Sequence, residues 1–349
     1  MVASAILRRK HYANDPLIRA DIVKLYADGV LEGNPLADPP TLPNSPSIKP
    51  YLQPVFGRDE AGHATFLGRY AGPDDPACRI LYRAEPDQKL WRTQHGFDRA
   101  QCSIGSGKPQ HPRAVMIEWV RRMHAAGFGI HIHAIGDGAV HVAIDALEAA
   151  RASDPPGAQR RPDTLAHVQL VTPDDVARIG RDHLFLAMTY AWIYTDKEYD
   201  LSVIPFVQHV TGDSFTALHR PDGYYEQQAY PAGAMRRAGG VLVAGSDAPV
   251  ETRDPRPFIN MQSAVTRARD GTPALGAVDQ RITIAEAVQA YTLDGARSLG
   301  REDEFGSISV GKSADWIVLN QDVMRVPADH IGATRMQQTW FQGKQVAGN

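Results

Sequence analysis

Short apolar runs alternate with amphipathic stretches along most of the chain. Five runs are typical of buried strands, at residues 22–27, 127–133, 164–169, 184–190 and 240–245. Stripes with i, i+3/i+4 spacing predict helices at residues 112–127, 139–151, 172–180 and 230–238, followed by two more at 256–269 and 283–299. Strands that alternate with helices favour a parallel sheet, either open or closed into a barrel.

Three regions depart from this alternation. Residues 30–110 contain many prolines, including Pro39-Pro40, and only short β-like pieces, at 51–68 and 78–82. We therefore expect an insertion that forms a wall of a substrate pocket. Residues 195–230 are polar and aromatic and predict irregular structure. Beyond residue 300, short strands at 306–312, 315–319 and 337–346 predict a small β portion. We therefore predict a barrel portion at residues 1–300, with the insertion at about 30–110, and a β portion at 301–349.

Composition excludes several function classes. The net charge of −3 over 349 residues gives no reason to expect binding to nucleic acid or to an anionic membrane. The sequence shows neither a signal peptide nor a membrane-spanning run, which predicts a cytoplasmic protein. Cys78 and Cys102 have no CxxC or framework spacing, which fits a reducing compartment and argues against a thiolate metal site. A homo-oligomer is compatible with all of this.

Four polar residues lie at or near the predicted C-terminal ends of four strands, namely Lys24, His133, His167 and Asp247. In a parallel barrel the strand ends surround one mouth, so these side chains would converge. Two imidazoles and a carboxylate suit zinc, with manganese or iron as alternatives, and one or two ions.

Each of these residues also has a purely structural interpretation. The histidines can be hydrogen-bonded core residues, Lys24 can face solvent from an edge strand, and Asp247 can cap a helix. His131 lies two residues before His133 and therefore points to the same side of the strand.

The chain resembles amidohydrolase family 3, the YtcJ-like branch of the metal-dependent amidohydrolases. The resemblance covers essentially the whole chain and rests on five motifs in order: Lys24-Leu25-Tyr26-Ala27-Asp28-Gly29, His133-Ala134-Ile135-Gly136-Asp137, Ala166-His167-Val168-Gln169-Leu170, Gly245-Ser246-Asp247-Ala248-Pro249-Val250 and Gly306-x-Ile308-x-Val310-Gly311-Lys312-x-Ala314-Asp315.

The resemblance implies an α/β fold with a distorted TIM-like (β/α)8 barrel and a β-sandwich. It implies that His133 and His167 are metal ligands and that Asp247 holds the attacking water and shuttles its proton, beside the metal. It also implies that a carboxylated Lys24 bridges two metals.

One family feature is missing. The His-x-His pair of the first barrel strand does not precede Lys24, and His131-Ile132-His133 cannot replace it, because only three barrel strands follow. The resemblance therefore implies the C-terminal part of a longer enzyme, with barrel strands 4–8 and part of the sandwich.

Two functions follow from this. The first is a metal-dependent hydrolase of an amide or other non-peptide C–N bond in a small molecule, using a metal-activated water. The second is a truncated remnant that needs a complementary chain or binds metal only weakly. His131, Tyr190, Trp192 and Arg267 are predicted to contact substrate, although a solvated helix face explains Arg267 equally well.

Overall fold

The computed structural model describes residues 2–15, 18–37, 41–80, 87–154, 161–248, 255–269, 271–276 and 278–348. The strands are β1 (Ile22–Tyr26), β2 (Gln53–Arg58), β3 (Ala64–Ala71), β4 (Gly129–Ala134), β5 (Thr164–His167), β6 (Phe185–Met188), β7 (Val241–Ala244), β8 (Trp316–Leu319), β9 (Met336–Phe341) and β10 (Lys344–Ala347). The helices are α1 (Val2–His11), α2 (Gln88–His95), α3 (Arg113–Ala125), α4 (Asp137–Arg151), α5 (Pro173–Arg181), α6 (Lys197–Val207), α7 (Phe215–Leu218), α8 (Tyr224–Gln228), α9 (Ala232–Ala238), α10 (Pro257–Thr266), α11 (Ile284–Tyr291) and α12 (Leu293–Ser298).

A five-stranded parallel sheet organises the molecule. Its strand order is β1-β4-β5-β6-β7, which confirms the predicted α/β fold with a parallel sheet. Lys24 pairs with His131, and Ala134 pairs with His167, so the candidate residues of three strands lie at the same end of the sheet. Within the described residues β1 and β7 are the two edges of this sheet.

Burial alternates along β4 because successive side chains of a strand face opposite sides. Ile130, Ile132 and Ala134 are fully buried in the main core, whereas His131 and His133 are half-buried on the other face. Burying an isoleucine side chain contributes roughly 1.5–3 kcal/mol, so two isoleucines hold the histidine face in register.

Thr172 caps the start of α5, close to the predicted boundary of the helix 172–180. The Thr172 side chain accepts a hydrogen bond from the Asp175 amide, and Pro173 begins α5. Proline has no backbone N–H, and at the first helical position an N–H would find no carbonyl acceptor within the helix.

Other predicted boundaries were wrong. Residues 195–230 hold three helices rather than irregular structure, because Asp196 and Ser214 cap α6 and α7 although Pro205 lies inside α6. The predicted helix 283–299 is divided at Thr292 into α11 and α12. Residues 306–312 do not form a strand. The predicted β-like piece at 78–82 begins inside a 3-10 turn that covers residues 76–79, and its residues 81–82 lie outside the described residues.

The insertion has a small core of its own, formed by Val55, Ala77, Trp91 and Phe97. Beside it Cys78 and Cys102 form a disulfide, with their Cα atoms 5.4 Å apart. This bond departs from the reducing compartment that the cysteine spacing suggested. A spacing of 24 residues matches no cysteine motif, and only the folding of the insertion brings the two cysteines together.

The C-terminal portion is a three-stranded antiparallel sheet of order β10-β9-β8. Both β8 and β10 are largely exposed, including Ile317 and Val346. Among the described helices, none combines the length and apolar character that crossing a bilayer requires.

Candidate metal centre and substrate pocket

The ends of β4 and β5 bring His133 and His167 together. Their ring centroids lie 4.5 Å apart, and the Trp192 ring stacks on His167 at 5.2 Å with an interplanar angle of 12°. The imidazoles are thus close enough to bind one ion, with one wall closed by an aromatic ring. His133 and His167, which were predicted to converge at the strand ends, thus lie together.

A hydrogen bond orients the His133 ring. Its Nε2 lies 2.7 Å from the Gly29 carbonyl oxygen, which can only accept, so Nε2 carries the proton. Nδ1 of the neutral ring therefore has its lone pair available. A second ring nitrogen held by a backbone carbonyl is the usual support of a metal-binding histidine.

Asp28 organises the turn behind His133, and sequence reasoning missed it. The Asp28 carboxylate is fully buried and accepts hydrogen bonds from the Ile135 amide at 3.0 Å, the Gly136 amide at 2.9 Å and the Ser45 hydroxyl. One of its oxygens lies 3.4 Å from His133 Nε2. Its position directly after β1 was the signal in the sequence that could have identified it.

His167 lies in a strained and buried setting. Its φ is 75°, and Val168 follows at 43°, although neither is a glycine. Such left-handed residues cost of order 1–3 kcal/mol each and cluster at functional sites. His167 Nδ1 is also buried with no hydrogen-bond partner in the part of the chain that the structure describes. An orphaned imidazole nitrogen is costly unless a ligand engages it.

Burial keeps two imidazoles neutral. It lowers the pKa of His167 to about 3 and that of His131 to about 4, with further lowering from the nearby Lys24 ammonium and from His133. Neutral imidazoles are the form that binds a metal ion. Both histidines therefore offer lone pairs across the physiological pH range.

Lys24 lies near the histidines and Asp247 lies near Lys24, but both residues are more exposed than the histidines. Burial lowers the pKa of Lys24, and Asp247 opposes that shift, which places the two charges within range of each other. Asp247 is solvent-exposed with a φ of 51°. Within the described ranges no three His, Cys, Asp or Glu side chains converge closely enough to hold a metal. The fit to a metal is therefore carried by the two histidines, with Asp247 and Lys24 at the periphery.

The family model described as "Amidohydrolase family" matches residues 3–347. The chain belongs to the amidohydrolase family. Among curated relatives, the N-substituted formamide deformylase of Arthrobacter pascens is 26% identical over 296 residues, covering 82% of this chain and 49% of the relative. The putative amidohydrolase YtcJ of Bacillus subtilis is 24% identical, covering 69% of this chain and 41% of the relative.

A metal-dependent hydrolase from Pyrococcus horikoshii OT3 has the same fold over 88% of this chain and 46% of its own, with a TM-score of 0.54 and 21% identity. The chain spans about half the length, or less, of the curated relatives it matches.

Two predicted substrate contacts of this amidohydrolase-family chain lie elsewhere. Tyr190 is fully buried in the core, where burial and the neighbouring Tyr291 raise its pKa. Arg267 is buried and donates to the carbonyl oxygens of Leu275, Tyr230 and Ala229. Arg267 therefore stabilises the loops around α10. It neither lines the pocket nor lies on a solvated helix face, the two roles that the sequence left open.

A pocket of about 370 Å³ lies beside Trp192, the residue whose ring stacks on His167. It is lined by Val30, Glu32, Ile135, Gln169, Trp192, Tyr194, Asp196 and Tyr199. Ile135 and Gln169 each follow a candidate metal ligand by two positions, and Trp192 stacks on His167. The start of the insertion-bearing region, at Val30 and Glu32, forms one wall.

Proposed function

We propose that this chain carries a metal centre of a hydrolase that cleaves an amide or another non-peptide C–N bond in a small molecule. The observation that carries the proposal is the adjacent pair His133 and His167, with Trp192 of the pocket stacked on His167. Membership of the amidohydrolase family supports the same chemistry. Zinc is the first candidate ion, since imidazole and carboxylate ligands suit it.

Each side chain of the candidate site has its own role in this proposal. His133 and His167 would hold the ion, which when bound supplies Lewis-acid activation of water and of the substrate carbonyl. Asp247, exposed near Lys24, would accept a proton from the attacking water and return it to the departing nitrogen. Lys24 is a candidate further ligand, and Trp192 and neutral His131 would border the substrate.

Metal content of the purified chain tests this proposal. We expect about one or two equivalents of zinc or manganese by elemental analysis, and a loss of most of it in the His133→Ala/His167→Ala variant. The matched control is His11→Ala/His330→Ala, since these two histidines are exposed. Well-folded wild type without metal after reconstitution, or equal metal in both variants, would contradict the proposal.

Turnover is tested separately. The name of the Arthrobacter pascens relative makes N-substituted formamides the first substrates to assay. Amine release that requires added metal and is abolished by Asp247→Asn supports hydrolysis with Asp247 as proton shuttle.

A second candidate is a chain that binds metal weakly and needs a complementary chain for turnover. It is supported by the solvent exposure of Lys24 and by the lack of a third close ligand within the described residues. Metal bound well below one equivalent, together with no turnover of any formamide, would favour it.

A further inference from the structure

Glu32 places a carboxylate at an otherwise largely apolar pocket. The other walls are mostly aromatic or aliphatic, including Trp192, Tyr194, Ile135 and Val30. Glu32 Oε2 is shielded from solvent and has no hydrogen-bond partner in the part of the chain that the structure describes. A carboxylate oxygen in such a setting is costly unless a bound group compensates it.

The protein provides no cation for this carboxylate among the described residues that line the pocket. Those lining residues include no lysine or arginine. The other acid there, Asp196, uses one oxygen to accept from the Tyr199 amide at 2.9 Å and so caps α6. Arg269 lies close by, but its guanidinium is placed over the Tyr194 ring, 4.9 Å from the centroid.

The backbone on both sides of Glu32 is fixed. Leu31 is fully buried, and the Gly33 amide donates to the Ser202 carbonyl at 2.8 Å. A Cβ at Gly33 would lie 2.7 Å from the Thr41 carbonyl oxygen, so only glycine fits at this position without a shift of the backbone. The carboxylate is therefore held at the pocket by a rigid segment, as specificity groups usually are.

We infer that the pocket selects amide substrates that carry a positively charged nitrogen on an aromatic or other apolar body, and that Glu32 recognises this nitrogen. A carboxylate beside aromatic rings is the arrangement that binds ammonium groups, through a charge-assisted hydrogen bond and cation–π attraction. The inference rests on the proposed hydrolase function for its substrate class, but its binding step can be measured alone.

A pair of formamides tests the selection. N-(para-aminomethylbenzyl)formamide carries an ammonium group at neutral pH, and N-(para-hydroxymethylbenzyl)formamide is its neutral counterpart. We expect wild type to favour the charged compound in kcat/KM by about tenfold or more, and Glu32→Gln to lower that ratio by a similar factor. Because the ratio is taken within one protein, loss of folded enzyme cancels.

Glu198→Gln is the matched control, since Glu198 is exposed on α6, does not line the pocket and undergoes the same change of charge. It should keep the wild-type ratio. A wild type that prefers the neutral compound, or a ratio unchanged by Glu32→Gln, would overturn the inference.

Calorimetry with para-xylylenediamine separates the two proposals. If neither formamide is hydrolysed, the proposed function fails, and binding alone then decides the inference. Tighter binding of the diamine to wild type than to Glu32→Gln, by about tenfold, supports it. Equal binding, or no binding to either protein, overturns it.

Discussion

At the scale of single residues, the site depends on groups that fix the histidines as well as on the histidines. Asp28 satisfies two buried amides behind His133, and an alanine there would leave both without an acceptor. Each orphaned buried donor costs about 1–3 kcal/mol. We expect Asp28→Ala to lower the free energy of unfolding in urea by about 2–5 kcal/mol, with a smaller loss for Asp28→Asn, which keeps one acceptor oxygen.

The control for this change is Asp303→Ala, because Asp303 is exposed. It should alter the unfolding midpoint little. Equal stability of Asp28→Ala and Asp303→Ala would contradict the assigned role of Asp28.

Residues at strand ends were predictable because strand alternation and parallel pairing determine where they lie. His133 and His167 followed from that rule, and the pair is observed. Asp28 and the role of Arg267 did not follow, because their partners are backbone groups of other segments, and Glu32 did not follow, because only the folded chain forms the pocket around it. Tertiary contacts of this kind cannot be predicted from the local sequence.

At the scale of elements, a buried histidine joins three helices that sequence analysis assigned to irregular structure. His219 lies just after α7, with Nε2 2.9 Å from Asp200 of α6 and Nδ1 2.5 Å from Glu226 of α8. The apolar periodicity of these short helices is weak, and their caps and this ion network define them instead. Strongly periodic helices such as α4 were predictable within two residues.

This network predicts an alkaline loss of stability. Burial alone would lower the pKa of His219, but its hydrogen bonds to Asp200 and Glu226 outweigh burial and raise the pKa to about 9. The stabilisation is therefore complete below the unfolded pKa of about 6.5 and is lost as the pH rises through about 9. We expect the unfolding free energy of wild type to fall by roughly 1–3 kcal/mol between pH 6 and pH 10 relative to His219→Gln.

Urea titrations at a series of pH values measure this difference. His330→Gln serves as the control, since His330 is exposed, and it should follow the wild-type pH profile. Parallel profiles for wild type and His219→Gln would show that the imidazolium contributes nothing.

At the scale of the whole molecule, the described sheets leave apolar surface uncovered. A cavity of about 1090 Å³ opens between β7, α11, α12 and the C-terminal sheet, with Trp316, Ile317 and Phe341 in its lining. The C-terminal β portion was predictable from its glycine turns. The exposure of both its faces was not, because exposure depends on what packs against a sheet.

Contiguous apolar surface of this size promotes association. We expect the purified chain to self-associate, with an average mass that rises with concentration in sedimentation velocity. Ile317 is 51% exposed, and Ile317→Lys should shift the protein toward the monomer mass, because burying an unpaired ammonium in the contact is costly. Gln337→Lys adds the same charge at an exposed position of β9 and should leave association unchanged. A wild type that stays monomeric at every concentration, or equal effects of the two lysines, would contradict the role of this face.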